Sequence, residues 1–299
     1  MQLRPVLDWT DTADPLPAAG GLDDVERILG DGQVVVLSGA GLSTDSGIPD
    51  YRGENGSLRR HTPMTYQDFT GSQAGRRRYW ARSFVGWRAM TRAAPNVGHH
   101  AVAALGEAGY LSAVITQNVD GLHHAAGSHE TVELHGSLDR VLCLDCRETS
   151  SRAALDRRLR AANPDFRDVT AEINPDGDVE LDERLVGGFK VVDCDACGDG
   201  VLKPDVVFFG ENVPKPRVQQ CYDHIDEARA LLVLGSSLTV MSGLRFVRYA
   251  AKQGKPVVIV NQGRTRGDAH AGVRLDTRLG PALTELADRL GCTPAGAAV

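Results

Sequence analysis

Four cysteines form two Cys-x-x-Cys pairs, Cys143 with Cys146 and Cys194 with Cys197. Two such pairs supply the thiolates of a tetrahedral zinc site, and a shell closed by four protein ligands leaves no position for a substrate. A thioredoxin-like redox site is the alternative, but it needs only one pair, and neither pair here opens a helix after a strand. We therefore predict one structural zinc ion, held by these four cysteines.

A glycine-containing stretch, Gly39 to Gly41, follows the apolar run from Val34 to Leu37. Glycines directly after a buried strand let the backbone approach the phosphates of a nucleotide. The dinucleotide fingerprint requires a third glycine where this chain has Thr44, and no Walker-type lysine follows. The stretch therefore begins like a nucleotide-binding loop and then departs from the usual patterns.

Small and amide residues follow four predicted strands at the point where each strand ends. They are Ser38–Gly41, Thr116–Asp120, Gly235–Ser237 and Asn261–Gly263. The carboxyl ends of parallel strands meet at one edge of a sheet, and ligands bind there at the point where the strand order reverses. Such residues are also common in ordinary turns. Four such loops in one sheet nevertheless favour a shared ligand site, with neutral hydrogen bonds to ribose and amide groups.

His135 is the candidate general base. It ends a short alternating run that begins at Thr131, and it joins the strand-rich part of the chain to the cysteine module. A cleft forms at such a junction, and an imidazole can take a proton from a sugar hydroxyl near neutral pH. Other histidines, such as His99 and His123, are interpreted as structural.

Short apolar runs alternate with helical patterns, which predicts a parallel sheet covered on both faces. The predicted strands are Gln33–Ser38, Leu111–Thr116, Ala230–Leu234 and Val257–Val260, and the predicted helices are residues 22–29, His99–Ala108, Ser151–Ala162, Gly243–Lys252 and Pro281–Leu290. The predicted fold class is α/β, with a doubly wound, Rossmann-like large domain and a smaller inserted zinc-binding module. Within the insertion, the polar segment 174–178 is interpreted as a solvated loop.

Composition disfavours several classes of protein. The 299 residues carry a net charge of −6 without a block of like charges, which argues against nucleic-acid binding through a basic face. No apolar stretch approaches the roughly 18 residues of a transmembrane helix. The first residues lack the form of a signal peptide, and Asp8, Asp11 and Asp14 argue against a mitochondrial presequence. We expect a cytoplasmic protein without nucleic-acid or membrane partners, and its oligomeric state stays open.

The motifs, in this order, resemble those of the sirtuin family of NAD-dependent protein-lysine deacylases. The resemblance rests on Gly39–Arg52, Thr116–Asp120, Leu134–Gly136, the four cysteines, Gly235–Val240 and Asn261. Residues 78–87, 140–146 and 203–210 are similar to the class II branch of that family. The resemblance implies one sirtuin domain, which comprises an NAD-binding part (18–53, 98–135 and 205–290), a zinc module (136–204), a helical cofactor-loop and acyl-channel part (54–97), and frayed ends (1–17 and 291–299).

The resemblance also implies a set of site residues. NAD would be bound by Gly39, Ala40, Gly41, Thr44, Asp50, Tyr51, Arg52, Gln117, Asn118, Asp120, Gly235, Ser236, Ser237, Asn261, Gln262, Gly263 and, through its main chain, Leu279. The substrate peptide would lie as an added strand between two segments, Val206–Glu211 and Val240–Gly243, with Val207, Phe208, Phe209, Gly210, Glu211 and Val240 as its contacts. The implied catalytic residues are His135 and Asn118.

The implied reaction consumes NAD and water, moves the acyl group of a protein lysine to the ADP-ribose part of NAD, and releases nicotinamide, the free lysine and O-acyl-ADP-ribose. His135 takes a proton from a ribose hydroxyl, and the partners are acylated-lysine proteins. Two alternatives stay open. A mono-ADP-ribosyltransferase would use the same NAD site, and a noncatalytic NAD or ADP-ribose binding module would not need His135.

Three aromatic residues, Trp80, Phe84 and Trp87, fall on one face of a predicted helix. Such a face either packs in the core or lines the acyl channel, as the homologous sirtuin region does, and both interpretations stay open. Tyr79 and Arg82 have the spacing with which the class III branch binds a carboxylate, but their position in the chain disfavours that role. An apolar channel predicts that catalytic efficiency rises from acetyl to longer acyl groups, lipoyl included.

Overall fold

The computed structural model describes residues 19–52, 63–166 and 169–292. The predicted N-terminal frayed end, residues 293–299 of the predicted C-terminal frayed end and residues 54–62 of the cofactor-loop part lie outside the described residues. In chain order the described strands are β1 Val34–Ser38, β2 Leu111–Thr116, β3 Thr131–Glu133, β4 Gly136–Cys143, β5 Thr149–Ser151, β6 Leu202–Val206, β7 Ala230–Leu234, β8 Val257–Asn261 and β9 Val273–Asp276. The described helices are α1 Leu22–Gly30, α2 Tyr66–Gly71, α3 Gln73–Met90, α4 Val97–Glu107, α5 Leu122–Ala125, α6 Arg152–Ala162, α7 Glu183–Gly188, α8 Lys215–Glu227, α9 Met241–Lys252 and α10 Leu279–Arg289.

Six parallel strands form the larger sheet, in the order β3-β2-β1-β7-β8-β9. Val34 and Val36 share one apolar core with α1, α4 and α10, whereas Val35 and Leu37 pack with α8 and α9. Because both faces are covered, β1 is a continuous apolar run. The strand order reverses between β1 and β7, where a ligand crevice is expected. The predicted doubly wound α/β fold is confirmed.

All four predicted strands are present, and β2 and β7 have the predicted bounds. The sequence did not predict the edge strands β3 and β9. β3 has only three residues, and β9 alternates apolar Val273 and Leu275 with charged residues. Helices α4, α9 and α10 each begin two residues earlier than predicted. For α4 the reason is a side-chain cap, because Asn96 accepts hydrogen bonds from the backbone N–H groups of Gly98 and His99.

The smaller module is built on an antiparallel sheet with the order β5-β4-β6. Its apolar core also takes in α2 and α3, so that the helical part before residue 97 and the insertion share one core; its members include Phe69, Phe84, Val141, Leu159 and Phe189. The smaller inserted module of the predicted fold is thus present. No helix in the described ranges is long and apolar enough to cross a membrane.

The aromatic face of α3 lies in this shared core. Trp80 donates through Nε1 to the carbonyl of Leu202 at 3.1 Å, and the Arg152 guanidinium lies over the rings of Trp80 and Trp87. Phe84 is fully buried. None of these aromatic residues lines the cleft described below, and all three are buried in one core cluster, which supports the core interpretation for them.

Arg82 lies in the same core and is not placed as a carboxylate clamp. Its Nε is 3.0 Å from Asp178 Oδ2, and both side chains are buried. The segment around Asp178 is therefore packed against α3, and the interpretation of residues 174–178 as a solvated loop is wrong.

Candidate active site

A cleft of about 930 Å³ opens at the carboxyl ends of β1, β2, β7 and β8 and is also lined by Val206, which ends β6, and by the following residues 207–213. Most of the predicted site residues line it: Gly39, Ala40, Gly41, Asp50, Tyr51, Arg52, Gln117, Asn118, Asp120, His135, Val207, Phe208, Phe209, Gly210, Glu211, Gly235, Ser236, Ser237, Val240, Asn261, Gln262 and Gly263. The site predicted from four separate loops is therefore one cavity.

Two predicted cofactor contacts, Thr44 and Leu279, do not line the cleft. The Thr44 hydroxyl donates a hydrogen bond to the carbonyl of Gly41 at 3.0 Å and so stabilises the glycine loop. Leu279 begins α10 and is only 9% exposed, because it packs in the core beneath Gly235. Both residues therefore contact the loops that form the cleft and do not line the cleft itself.

The glycine loop after β1 lies against the loop after β7. Gly41 donates its N–H to the carbonyl of Gly235 at 2.9 Å. A Cβ at position 39 would lie 2.8 Å from the Cβ of Ser236, and one at position 41 would lie 2.9 Å from the Gly235 oxygen. A larger residue would push the two loops apart, so glycine is required at both positions. The resulting backbone cradle, at the sheet edge next to the strand reversal, fits the pyrophosphate of a dinucleotide.

A hydrogen-bond network joins the loop after β2 to the glycine loop. Asn118 Nδ2 donates to the Gly39 carbonyl at 3.1 Å and to Ser43 Oγ at 3.0 Å. Ser43 donates in turn to Asp120 Oδ2 at 2.7 Å. Burial raises the pKa of Asp120, against the lowering effect of the hydrogen bonds from Ser43 and the Leu122 N–H. Ser43 thus holds both predicted NAD contacts in place, a role that its spacing in the sequence did not reveal.

His135 is held from both sides of its ring. Its Nδ1 lies 2.9 Å from the carbonyl oxygen of Gln117, and its Nε2 lies 2.8 Å from Ser242 Oγ. A carbonyl oxygen can only accept, so Nδ1 carries the proton and Nε2 keeps its lone pair. Desolvation lowers the pKa of His135 to about 4, assisted by the charges of Arg217 and Arg245 and opposed by the Gln117 hydrogen bond. The ring is therefore neutral at pH 7, the form that can accept a proton.

The predicted peptide-binding segment is fixed by internal hydrogen bonds. Val207 donates its N–H to the carbonyl of His135 at 2.8 Å, which places the segment beside the candidate base. Glu211 accepts from the Phe208 N–H and from buried Lys203 Nζ, each at 2.9 Å. The Glu211 carboxylate therefore stabilises the conformation of this segment. Gly210 has a φ of +79°, which favours glycine at this turn.

Val206, Met241 and Ser242, which belong to the two predicted peptide-binding segments, also line the cleft. Further lining residues were not singled out as contacts: Ser43, Ile48, Met64, Val119, Pro175, Asp176, Asn212, Val213, Leu238, Thr239, Arg245, Arg264 and Arg266. Pro175 and Asp176 come from the insertion between the two cysteine pairs, and no sequence signal places them here. Ser242 and Arg245 lie in the first turns of α9, directly after the predicted contact Val240.

The four predicted zinc ligands come together in the smaller module. The Sγ atoms of Cys143, Cys146, Cys194 and Cys197 all lie within 4.8 Å of one another, and two of these pairs are 3.8 Å apart. Thiolates about 2.3 Å from a tetrahedral zinc ion are separated by about 3.8 Å, so the cluster fits that ion. A Cβ at Gly200 would lie 2.5 Å from two of the sulfur atoms, which explains the glycine there. The donor set and the spacing fit one structural zinc ion.

The sheet, the glycine cradle and the four-thiol module together define a dinucleotide-binding α/β protein with a metal-binding module. The sequence profile of the Sir2 family matches residues 39–242 of this chain. A Streptomyces coelicolor protein named NAD-dependent protein deacetylase 1 is 63% identical over 291 residues, which cover 97% of each chain. The chain therefore belongs to the Sir2 family, and the resemblance to sirtuins is confirmed.

Other relatives agree with this assignment. A Mycobacterium avium protein, also named NAD-dependent protein deacetylase 1, is 52% identical over 91% of this chain and 96% of its own length. A solved structure of Sir2 with a p53 peptide and NAD⁺ superposes with a TM-score of 0.72 at 27% identity, over 91% of this chain and 99% of that one. The fold and the site therefore have a counterpart that holds both a peptide and NAD⁺.

Proposed function

We propose that this Sir2-family protein is an NAD-dependent protein-lysine deacylase, with His135 as its general base and Asn118 as the residue that orients the reacting groups. The observation that carries the proposal is the state of His135: its Nε2 lone pair lies in the same cleft as the glycine cradle, and its proton is held on Nδ1 by Gln117. A noncatalytic binding module has no need of a base in that state. The names of the relatives support the same activity.

Each part of the cleft has a separate task in this reaction. The cradle at Gly39 and Gly41 takes the pyrophosphate of NAD, and the Asn118–Ser43–Asp120 network faces the ribose and the carboxamide. Bound NAD supplies the sugar carbon that accepts the acyl oxygen as nicotinamide leaves. His135 Nε2 takes a proton from a ribose hydroxyl while its Nδ1–H stays on the Gln117 carbonyl.

The substrate is an acylated lysine on a protein. Its backbone pairs as an added strand with the segment after β6, which the hydrogen bond from Val207 to His135 holds next to the base. Backbone pairing reads little sequence, which favours a broad range of target proteins.

Three finer assignments are also proposals. The class II branch is supported by residues 78–87, 140–146 and 203–210. The division into an NAD-binding part, a zinc module and a helical part is kept, with the amendment that α3 packs in the core of the zinc module. We place the protein in the cytoplasm, because zinc-binding thiolates persist in a reducing compartment.

The test is to incubate the protein with NAD and peptides that carry acetyl, butyryl or lipoyl lysine, and to follow nicotinamide and O-acyl-ADP-ribose by mass spectrometry. We expect the two products in equal amounts. His135→Ala should bind NAD normally and lose about a hundredfold or more in turnover. His129→Ala is the matched control, because His129 is exposed and does not line the cleft.

Other outcomes would contradict the proposal. Nicotinamide release with ADP-ribose attached to protein would indicate a mono-ADP-ribosyltransferase. NAD binding without nicotinamide release would indicate a binding module.

A further inference from the structure

Ser242 belongs to the predicted peptide-binding segment Val240–Gly243, but its side chain contacts the candidate base, a role that the segment does not explain. It is the second residue of α9, half-buried, and lines the cleft. Its Oγ lies 2.8 Å from His135 Nε2, the nitrogen that must receive the proton. The two residues are 107 positions apart in the sequence.

The direction of this hydrogen bond follows from the other side of the ring. Because the Gln117 carbonyl accepts from Nδ1, Nε2 has no proton, and Ser242 must be the donor. A donor to the Nε2 lone pair stabilises the neutral imidazole. Ser242 therefore favours the one tautomer and the one charge state in which His135 can act as a base.

The start of α9 is held firmly enough to position this contact. A Cβ at Gly243 would lie 2.7 Å from Gln117 Nε2, so α9 packs directly on the residue that holds Nδ1. Gln117 is itself fixed, because its Oε1 accepts from Ser236 Oγ at 2.6 Å. The two contacts to the imidazole thus belong to one connected unit, and two contacts on opposite nitrogens fix the plane of a ring.

We propose that Ser242 is a positioning residue for His135, which holds the ring from the Nε2 side until a ribose hydroxyl replaces the serine as the hydrogen-bond donor. The proposal rests on the proposed function. It assigns no contact between Ser242 and the reacting atoms.

The experiment compares the pH dependence of kcat/KM for Ser242→Ala, Ser242→Thr and the unaltered protein. Loss of the donor removes a contact that favours the neutral ring, so Ser242→Ala should move the acid limb upward by about 0.7 pH unit, the equivalent of one hydrogen bond. It should also lower kcat about three- to tenfold, with KM for NAD nearly unchanged, because a loosened ring spends less time aligned. Ser242→Thr keeps the hydroxyl and should restore both values.

A control variant and an NMR titration distinguish an effect on His135 from a general effect of a substitution. Arg217 on α8 and Arg245 on α9 carry the charges that act on His135, and both stay in every variant. Ser150→Ala is the matched control, because Ser150 is exposed on β5, away from the cleft. The His135 imidazole is also titrated by NMR without substrate. If the protein proves inactive, the proposed function fails, but the NMR shift still tests Ser242.

An unchanged acid limb and an unchanged NMR pKa in Ser242→Ala would overturn the proposal. So would a change confined to KM for the peptide, since that would make Ser242 a substrate contact only.

Discussion

Mild acid should destabilise this protein through two buried histidines that lie behind the active site. His99 and His123 are 0% and 2% exposed, and their ring centroids are 5.2 Å apart. His123 Nε2 also lies 2.8 Å from Ser38 Oγ, at the end of β1. Burial lowers the pKa of His99 to about 4 and that of His123 to about 3, and neighbouring histidines add to both shifts.

The sign of the effect follows from these shifts. Unfolded histidine has a pKa of about 6.5. Below this pH, the unfolded chain therefore binds protons that the folded chain does not bind. The stabilisation is complete above about pH 6.5 and is lost as the pH falls towards the folded values of about 4 and about 3.

The magnitude is a large part of the total stability. Each buried histidine changes the free energy of unfolding by about 1.4 kcal/mol per pH unit, which gives about 2 kcal/mol at pH 5. The two rings touch, so their contributions are not independent, and about 4 kcal/mol is an upper bound for the pair. A domain of this kind is stable by only about 5–15 kcal/mol.

The assay is urea unfolding at pH 7.5, 6.0 and 5.0 for the unaltered protein and for His123→Gln, whose amide can still bond to Ser38 but does not titrate. The slope of stability against pH should be smaller by about 1.4 kcal/mol per unit in the variant. Metal affinity also depends on pH, but this effect is common to both proteins and cancels in the difference. The exposed control His129→Gln should keep the original slope.

Equal slopes in the unaltered protein and in His123→Gln would refute the reasoning. Should His123→Gln fail to fold, NMR titration of the unaltered protein decides the matter, because a His123 resonance that titrates near pH 6.5 would refute it as well.

Three more predictions concern the metal, the core and the cradle. The purified protein should hold about one zinc ion per chain by atomic absorption, and Cys143→Ala should lower folding yield as well as activity; a folded, active, metal-free preparation would contradict this. Phe84→Ala should lower the free energy of unfolding, measured with urea, by about 3–5 kcal/mol and leave the acyl preference unchanged, because Phe84 is a core residue. An altered acyl preference would instead indicate that Phe84 lines the acyl channel. Gly41→Ala should raise KM for NAD about tenfold, since the new Cβ would lie 2.9 Å from Gly235 O. Gly30→Ala, whose Cβ would meet nothing within 4 Å, should not.

Features that depend on residues close together in the sequence were predictable. Continuous apolar runs gave the inner strands of the large sheet, because a strand covered on both faces has no polar positions. The two Cys-x-x-Cys pairs gave the thiol cluster, because the spacing itself is the metal-binding pattern. Loops that follow parallel strands gave most of the cleft, because all strands end at the same edge.

Features that depend on contacts between distant residues were not predictable. Ser242 falls in a predicted peptide-binding segment, but only the fold shows that its side chain contacts His135. Asp176 reaches the cleft from a part of the insertion that has no motif. For the aromatic residues of α3, the local pattern was recognised but its surroundings were not. Their helical spacing predicts one shared face, but a face in the core and a face on a channel have the same spacing.

The zinc module and the base are connected by one pair of strands. β4 begins at Gly136, directly after His135, and ends at the zinc ligand Cys143. It pairs with β6 from Gly136 opposite Val206 to Cys143 opposite Leu202, and the substrate segment follows β6 directly. Gly136 has a φ of +84°, and a side chain there would collide with the Asp205 carbonyl, so the two strands are in close contact at the end of the ladder next to His135. The thiol cluster therefore lies at one end of this ladder, and His135 and the proposed peptide-binding segment lie at the other end, where Val207 donates its N–H to the His135 carbonyl. We therefore expect loss of the metal to disturb the contact between this segment and His135, although no cysteine of the cluster lines the cleft.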